Sequence, residues 1–225
     1  MTDLAPARKL LDILTEKVEA VKTVAEYTSR LWRACERLFL SGSDANFIAS
    51  VIRTVDQQLT KAWYEGAEQV GVMPEDMTAD DMQILTSIID NEAEYVYGLS
   101  SDILAARTAE MTQEEFATRF VSRIEIWAGR YPETQSRAKI HFGGKKRLIW
   151  KLGATEQHCT TCSALNGIIA FAEEWEQSGV QPQAPPNGAL ECGGWRCDCS
   201  LETTDKRRSP NALTRILDAA TARNL

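Results

Sequence analysis

The stretch "EQHCTTCSALNG", residues 156–167, places Cys159 and Cys162 two residues apart, with Leu165 and Gly167 close behind. A second stretch, "LECGGWRCDCSL" at 190–201, adds Cys192, Cys197 and Cys199. Five of the six cysteines of this 225-residue chain therefore fall between positions 159 and 199. The opening "MTDLAPARKLLDIL" has neither the continuous apolar core nor the small-residue cleavage site of a secretory signal. A reducing cytoplasm is thus the expected place of synthesis, where clustered cysteines serve more often as metal ligands or redox groups than as disulfides.

Zinc takes four soft ligands in a tetrahedron, and two cysteine knuckles facing one another supply them. Cys159 and Cys162 form the first knuckle, with Thr160 and Thr161 as a tight turn between them. The second pair is drawn from Cys192, Cys197 and Cys199, on a loop that Gly193 and Gly194 free to fold back. One structural zinc ion is the expectation. A metal-free set of buried thiols and a redox dithiol are the alternatives, the latter disfavoured because no strong βαβ pattern leads into a helix at the dithiol. His158 adjoins a ligand and reads as a polar neighbour of the site, and His141 reads as incidental.

The first 130 residues carry a helical pattern. Leu10, Leu11, Leu14, Val18, Val21, Val24, Ala25, Leu31, Trp32, Cys35 and Leu38 recur at spacings of three and four. A break at "SGS", 41–43, precedes a second stripe of Phe47, Ile48, Val51, Ile52, Val55, Leu59 and Trp63, with Ser43 or Asp44 as its cap. Thr78 opens a third helix with acids in its first turn, and Thr112 with Glu115 forms a capping box for a fourth. The character changes after Arg130, where a proline, a Gly-Gly and a basic run appear. "KRLIWKLG" at 146–153 is the best strand candidate. Ser209 and Pro210 are expected to start a short closing helix. The expected fold is mainly α: a long-helix bundle over 1–130, a small α+β zinc-knuckle module over 131–208, and a closing helix over 209–225.

The order of Trp150, "HCTTCSALNG", a Pro-rich loop ("GVQPQAPPNG") and a C-x-C followed by Leu201 resembles the minor head protein (Mu F-like head morphogenesis) family of tailed bacteriophages. Members show a helical front, an Arg-Thr-Glu-like segment, a Trp, then C-x-x-C-x-x-L-x-G, and end near P-x-H-x-x-C-R-C. Here "GRYPETQSRA" stands for the Arg-containing segment. Cys159, Cys162, Leu165 and Gly167 stand for the first knuckle, and Cys197 and Cys199 for the second. The likeness spans roughly residues 125–202. The family's histidine is Gly194 in this chain, and Cys192, two residues upstream, is placed to take its ligand role. The resemblance implies a virion structural protein of the phage or prophage head, made in the host cytoplasm and acting in head assembly. Its implied partners are portal or major capsid protein, with self-association and contact with packaged DNA as further possibilities.

The charge is divided: residues 1–129 hold 12 Lys and Arg against 22 Asp and Glu, and residues 130–225 hold 13 against 10. The net charge of −7 argues against a general nucleic-acid binder, although "GGKKR" at 143–147 and "DKRR" at 205–208 are local basic clusters. A zinc-bearing nucleic-acid or regulatory adaptor is the second reading, and a phage-associated nuclease or toxin the third. No catalytic residue is assigned, because two histidines without a nucleophile motif, and no G-x-x-x-x-G-K-[ST] loop, leave no recognisable machinery. No stretch approaches eighteen apolar residues, so no membrane-spanning helix is expected. Trp32, Phe39, Phe47 and Trp63 are candidate docking anchors on the helical front.

Overall fold

A computed structural model describes residues 23–153, 157–195 and 197–221. Among these, α1 spans Thr23–Ser41, α2 Phe47–Gln69, α3 Ala79–Thr108 and α4 Gln113–Gly143. Strand β1 (Arg147–Lys151) follows, then α5 (Thr160–Leu165), β2 (Ile169–Phe171), α6 (Ala172–Ser178), β3 (Ser200–Thr203) and α7 (Ala212–Thr221). The protein is mainly helical, with a small strand-bearing region at its C-terminal end. No strand precedes residue 147 among the described residues, as the sequence pattern requires. Of the first apolar stripe, Leu10, Leu11, Leu14, Val18 and Val21 lie outside the described residues.

The described residues divide into two compact units, one of residues 23–54 and 96–128, the other of 55–95 and those from 129 to 221. In the first, Leu31, Cys35, Leu38, Val51, Leu99, Ile103, Phe120 and Ile124 are buried. Phe116 stacks on Phe39 with ring centroids 4.3 Å apart, and the half-buried Trp32 packs at 5.6 Å. The last carbonyls of α1 have no partner within the helix. Arg107 answers this, its Nη1 donating to Phe39 O at 2.6 Å and also to Leu40 O. Thr112 and Glu115 form the expected capping box: Thr112 N–H donates to Glu115 Oε2 at 2.9 Å, and Glu115 N–H to Thr112 Oγ1 at 3.3 Å. Of the expected docking anchors, Phe39, Phe47 and Trp63 are buried, because their stripes face the packed interior, and only Trp32 is partly exposed.

In the second unit, α3 starts as expected at Thr78, whose N–H donates to Asp81 Oδ2 at 2.8 Å while Asp81 N–H donates to Thr78 Oγ1 at 3.2 Å. Helix α4 runs through Pro132 to Gly143, where the sequence suggested a change of structure after Arg130. Proline removes one backbone donor from a helix. The helix persists because its buried face continues through Tyr131, Thr134, Ala138 and Ile140. Arg130, nearly buried, also pairs with Glu92 at 3.0 Å and with Glu133 at 2.6 Å. Helix α2 lies so close to α4 that a Cβ on Gly66 would fall 2.3 Å from Gln135 O.

The expected strand is β1, the centre of a three-stranded antiparallel sheet in the order β2-β1-β3. Leu148 pairs with Ala170 of β2 and Thr203 of β3, and Trp150 with Leu201. Leu148, Ile149 and Trp150 are all buried, as a central strand covered on both faces demands. Helix α7 packs on α5 and α6 and begins at Ala212. Ser209 is therefore not its cap; the Ser209 hydroxyl instead accepts from Ile169 N–H at 3.0 Å, binding the segment to β2.

Gly66→Ala should destabilise the protein by about 1–3 kcal/mol, the usual cost of overpacking, read as a lower denaturant midpoint. Lys139, 4% exposed, donates from Nζ to Leu201 O at 2.7 Å. Burial pushes its ammonium down to about 8, against the opposing pull of Glu202. The unfolded chain then binds the extra proton between that value and the ordinary lysine range near 10.4, so stability gains with pH across this window. Wild type should gain on Lys139→Met by on the order of 2–3 kcal/mol from pH 8 to pH 10.5. Parallel urea titrations check this.

Candidate metal centre

Trp150 is the residue on which both cysteine stretches converge. Its N–H donates to Ile168 O at 3.1 Å and its carbonyl accepts from Gly167 N–H at 2.9 Å, which fixes the chain leaving the first knuckle. On its other edge it pairs with Leu201, two residues after Cys199. The motif residues Leu165 and Gly167 have plain roles: Leu165 is fully buried in the core around Trp150 and Trp175. Gly167 has φ +77° with open space around its α-carbon, so glycine is there for backbone conformation rather than for room.

The two threonines between Cys159 and Cys162 do not form an isolated turn, as expected from spacing, but the first turn of α5. Cys159 is its N-cap, with Sγ accepting from Cys162 N–H at 3.3 Å. Glu191 joins the two stretches: its carboxylate accepts from Thr160 N–H at 2.7 Å, and its own N–H donates to Thr161 Oγ1 at 3.2 Å. Gln183 holds the second stretch from behind, donating to Cys199 O at 2.8 Å. A Cβ on Gly153 would lie 2.3 Å from Asp198, so the end of β1 rests directly against the residue between Cys197 and Cys199.

These contacts bring all five predicted cysteines together. The Sγ atoms of Cys159, Cys162 and Cys192 lie within 4.8 Å of one another, as do those of Cys162, Cys197 and Cys199. Cys162 and Cys197 are 3.8 Å apart. Cys162, Cys197 and Cys199 are buried, and Cys159 and Cys192 are half-buried. The remaining cysteine, Cys35, sits in the core of the first unit, and burial pushes its thiol up to about 12. It behaves as a small apolar group, as its place on the helical stripe implies.

The electrostatics divide the thiols: Cys159 and Cys199 are held down, whereas Cys162, Cys192 and Cys197 are pushed up. Hydrogen bonds from the neighbouring thiols of Cys162 and Cys197 hold Cys199 well below the ordinary thiol range, with Gly153 N–H assisting. Cys162, which supplies those hydrogen bonds, is correspondingly pushed far up. Burial raises Cys159, yet N–H groups of Cys162 and Cys192 outweigh it and lower the thiol overall. Burial pushes Cys192 up to about 11. Five soft donors, anchored by backbone N–H groups and a shared carboxylate, can hold a metal ion, and the donor set fits zinc among other thiophilic cations.

Sequence reasoning missed His141. Its Nε2 lies 2.6 Å from Asp81 Oδ1, and its ring packs 5.6 Å from Trp63. This contact, with the Thr78 bonds, holds Asp81 down to about 2. The signal was the spacing of His141 on the α4 face that carries Ala138 and Phe142, but its partner lies 60 positions earlier. His158, expected beside the site, is half-buried next to Cys159.

Comparison with models of known protein families, with curated proteins and with solved structures finds no match.

Cys162→Ser should lower metal content and the thermal midpoint of the protein. Cys35→Ser should leave metal content unchanged and cost about 1–3 kcal/mol by placing a hydroxyl in an apolar core. Elemental analysis with calorimetry on both variants checks this pair.

Proposed function

We propose that the protein is a structural component of a tailed-phage or prophage head, acting in head assembly, with its C-terminal unit clamped by zinc. The observation that carries this reading is the convergence of Trp150, Cys159, Cys162, Leu165, Cys197 and Cys199 on one core, with Gly167 bonded to the Trp150 carbonyl at its edge. These are the positions on which the resemblance to minor head proteins rests. Metal binding supplies folding free energy to a region whose three strands are only three to five residues long. A rigid module made in this way suits a virion part, which must hold its shape without turnover.

The surface supports a protein partner over nucleic acid. One cation of each basic cluster is tied to an acid of the same unit: Lys145 pairs with Glu173, and Arg208 Nε donates to Glu174 Oε2 at 2.7 Å. Both cations also lie over the Phe171 ring, at 5.5 and 5.6 Å. In the first unit, Leu40, Tyr97, Val121 and Ile126 are exposed and replace the expected aromatic anchors as candidate contacts with portal or capsid protein. No described helix is long and apolar enough to cross a membrane.

The full chain should co-sediment with assembled heads, and with portal or capsid protein alone, of the phage or prophage that encodes it. Tyr97→Ser combined with Val121→Ser should weaken that association about tenfold or more, the loss of roughly 1.4 kcal/mol expected for interface side chains. Absence of co-sedimentation with every head component would overturn the structural reading, and salt-dependent DNA binding in its place would favour the adaptor.

A further inference from the structure

The five thiols form two triangles with one common corner, and this inference rests on the reading that they hold metal. Four thiolates on one zinc ion, each at about 2.3 Å, stand about 3.8 Å from one another. A preformed four-thiolate site would therefore be a single compact group of four. The thiols instead fall into the triples Cys159–Cys162–Cys192 and Cys162–Cys197–Cys199. Cys162 belongs to both.

We propose that the cluster is a binuclear thiolate centre, holding two thiophilic d10 cations, one in each triangle, with the Cys162 sulfur bridging them. A thiolate sulfur has lone pairs enough for two metals, and Cys162 occupies the one position from which both triangles are reached. Charge argues the same way. Four thiolates around one divalent ion leave two uncompensated negative charges in a largely buried site, whereas five thiolates around two ions leave one. Uncompensated buried charge is among the costliest features a protein can carry. The two positions differ in access. The inner triangle has three buried sulfurs, whereas the outer one has half-buried Cys159 and Cys192, and so can complete its coordination with a water molecule or an outside donor. The outer ion is thus the one that exchanges.

The test loads the full-length chain with cadmium-113 and counts bound ions by elemental analysis and by magnetic resonance. Two ions per chain are expected, with two resonances in the thiolate range that are coupled to one another through the shared sulfur. Cys192→Ser should lose the outer resonance and keep the inner one, and Cys162→Ser should abolish the coupling. One ion per chain in a single four-thiolate resonance would overturn the binuclear proposal and leave a single structural ion standing. No bound ion would overturn the metal reading itself. A second ion lacking thiolate character, or iron with acid-labile sulfide, would also overturn the proposal. Should Cys162→Ser fail to fold, the count and the coupling in the wild-type chain decide alone.

Discussion

The backbone pairing of Trp150 is the constraint on which the C-terminal unit depends. One residue in the middle of a three-stranded sheet is hydrogen-bonded on one side to Gly167 and Ile168 and paired on the other with Leu201. Each neighbouring segment has just left a cysteine stretch. Thiols separated by some forty positions meet because the ladder leaves them nowhere else to go. The core around this strand has Trp175 5.6 Å from Trp150 and Leu165 fully buried, and Cys162, Cys197 and Cys199 form part of it. Ladder and thiol cluster therefore share one core: the sheet positions the sulfurs, and an ion bound to them would tie together the loops that carry them.

The helical part was legible in the sequence because its signals are local. The capping pairs Thr78–Asp81 and Thr112–Glu115 each lie within four residues, and both form reciprocal hydrogen bonds. The burial of Leu31, Cys35, Leu38, Val51 and Leu59 likewise follows from a period of 3.6. What misled was punctuation that tertiary contacts override. Pro132 signals a break, yet α4 passes through it on a face that stays buried, beside an Arg130 held by two carboxylates. Ser209-Pro210 signals a helix start, yet the hydroxyl is drawn away to the backbone of β2.

The candidate site was legible in composition and not in geometry. Spacing alone identified all five cysteines and set Cys35 apart, since thiols within forty residues in a reducing setting point to metal. It did not show that Cys159 caps a helix, that Glu191 bonds to both threonines of the first knuckle, or that Cys162 stands at the corner of two groups. These depend on the approach of segments thirty or more positions apart. His141 failed for the same reason, its partner Asp81 lying on another helix.

The two units are stabilised in different ways. The first is held by an aromatic stack of Phe39, Phe116 and Phe120 and by Arg107 closing the end of α1, interactions that need no ligand. Tyr97, Val121 and Ile126 lie exposed outside this core. The second keeps its polar groups to itself: Arg130 between two glutamates, Lys139 on a strand carbonyl, Arg208 on Glu174. The thiol cluster follows the same rule, its sulfurs being bonded to one another and to backbone N–H groups. A metal ion bound there would displace the thiol protons and take over their part in joining the sulfurs, while Glu191 on Thr160 N–H and Gln183 on Cys199 O go on holding the two stretches in place.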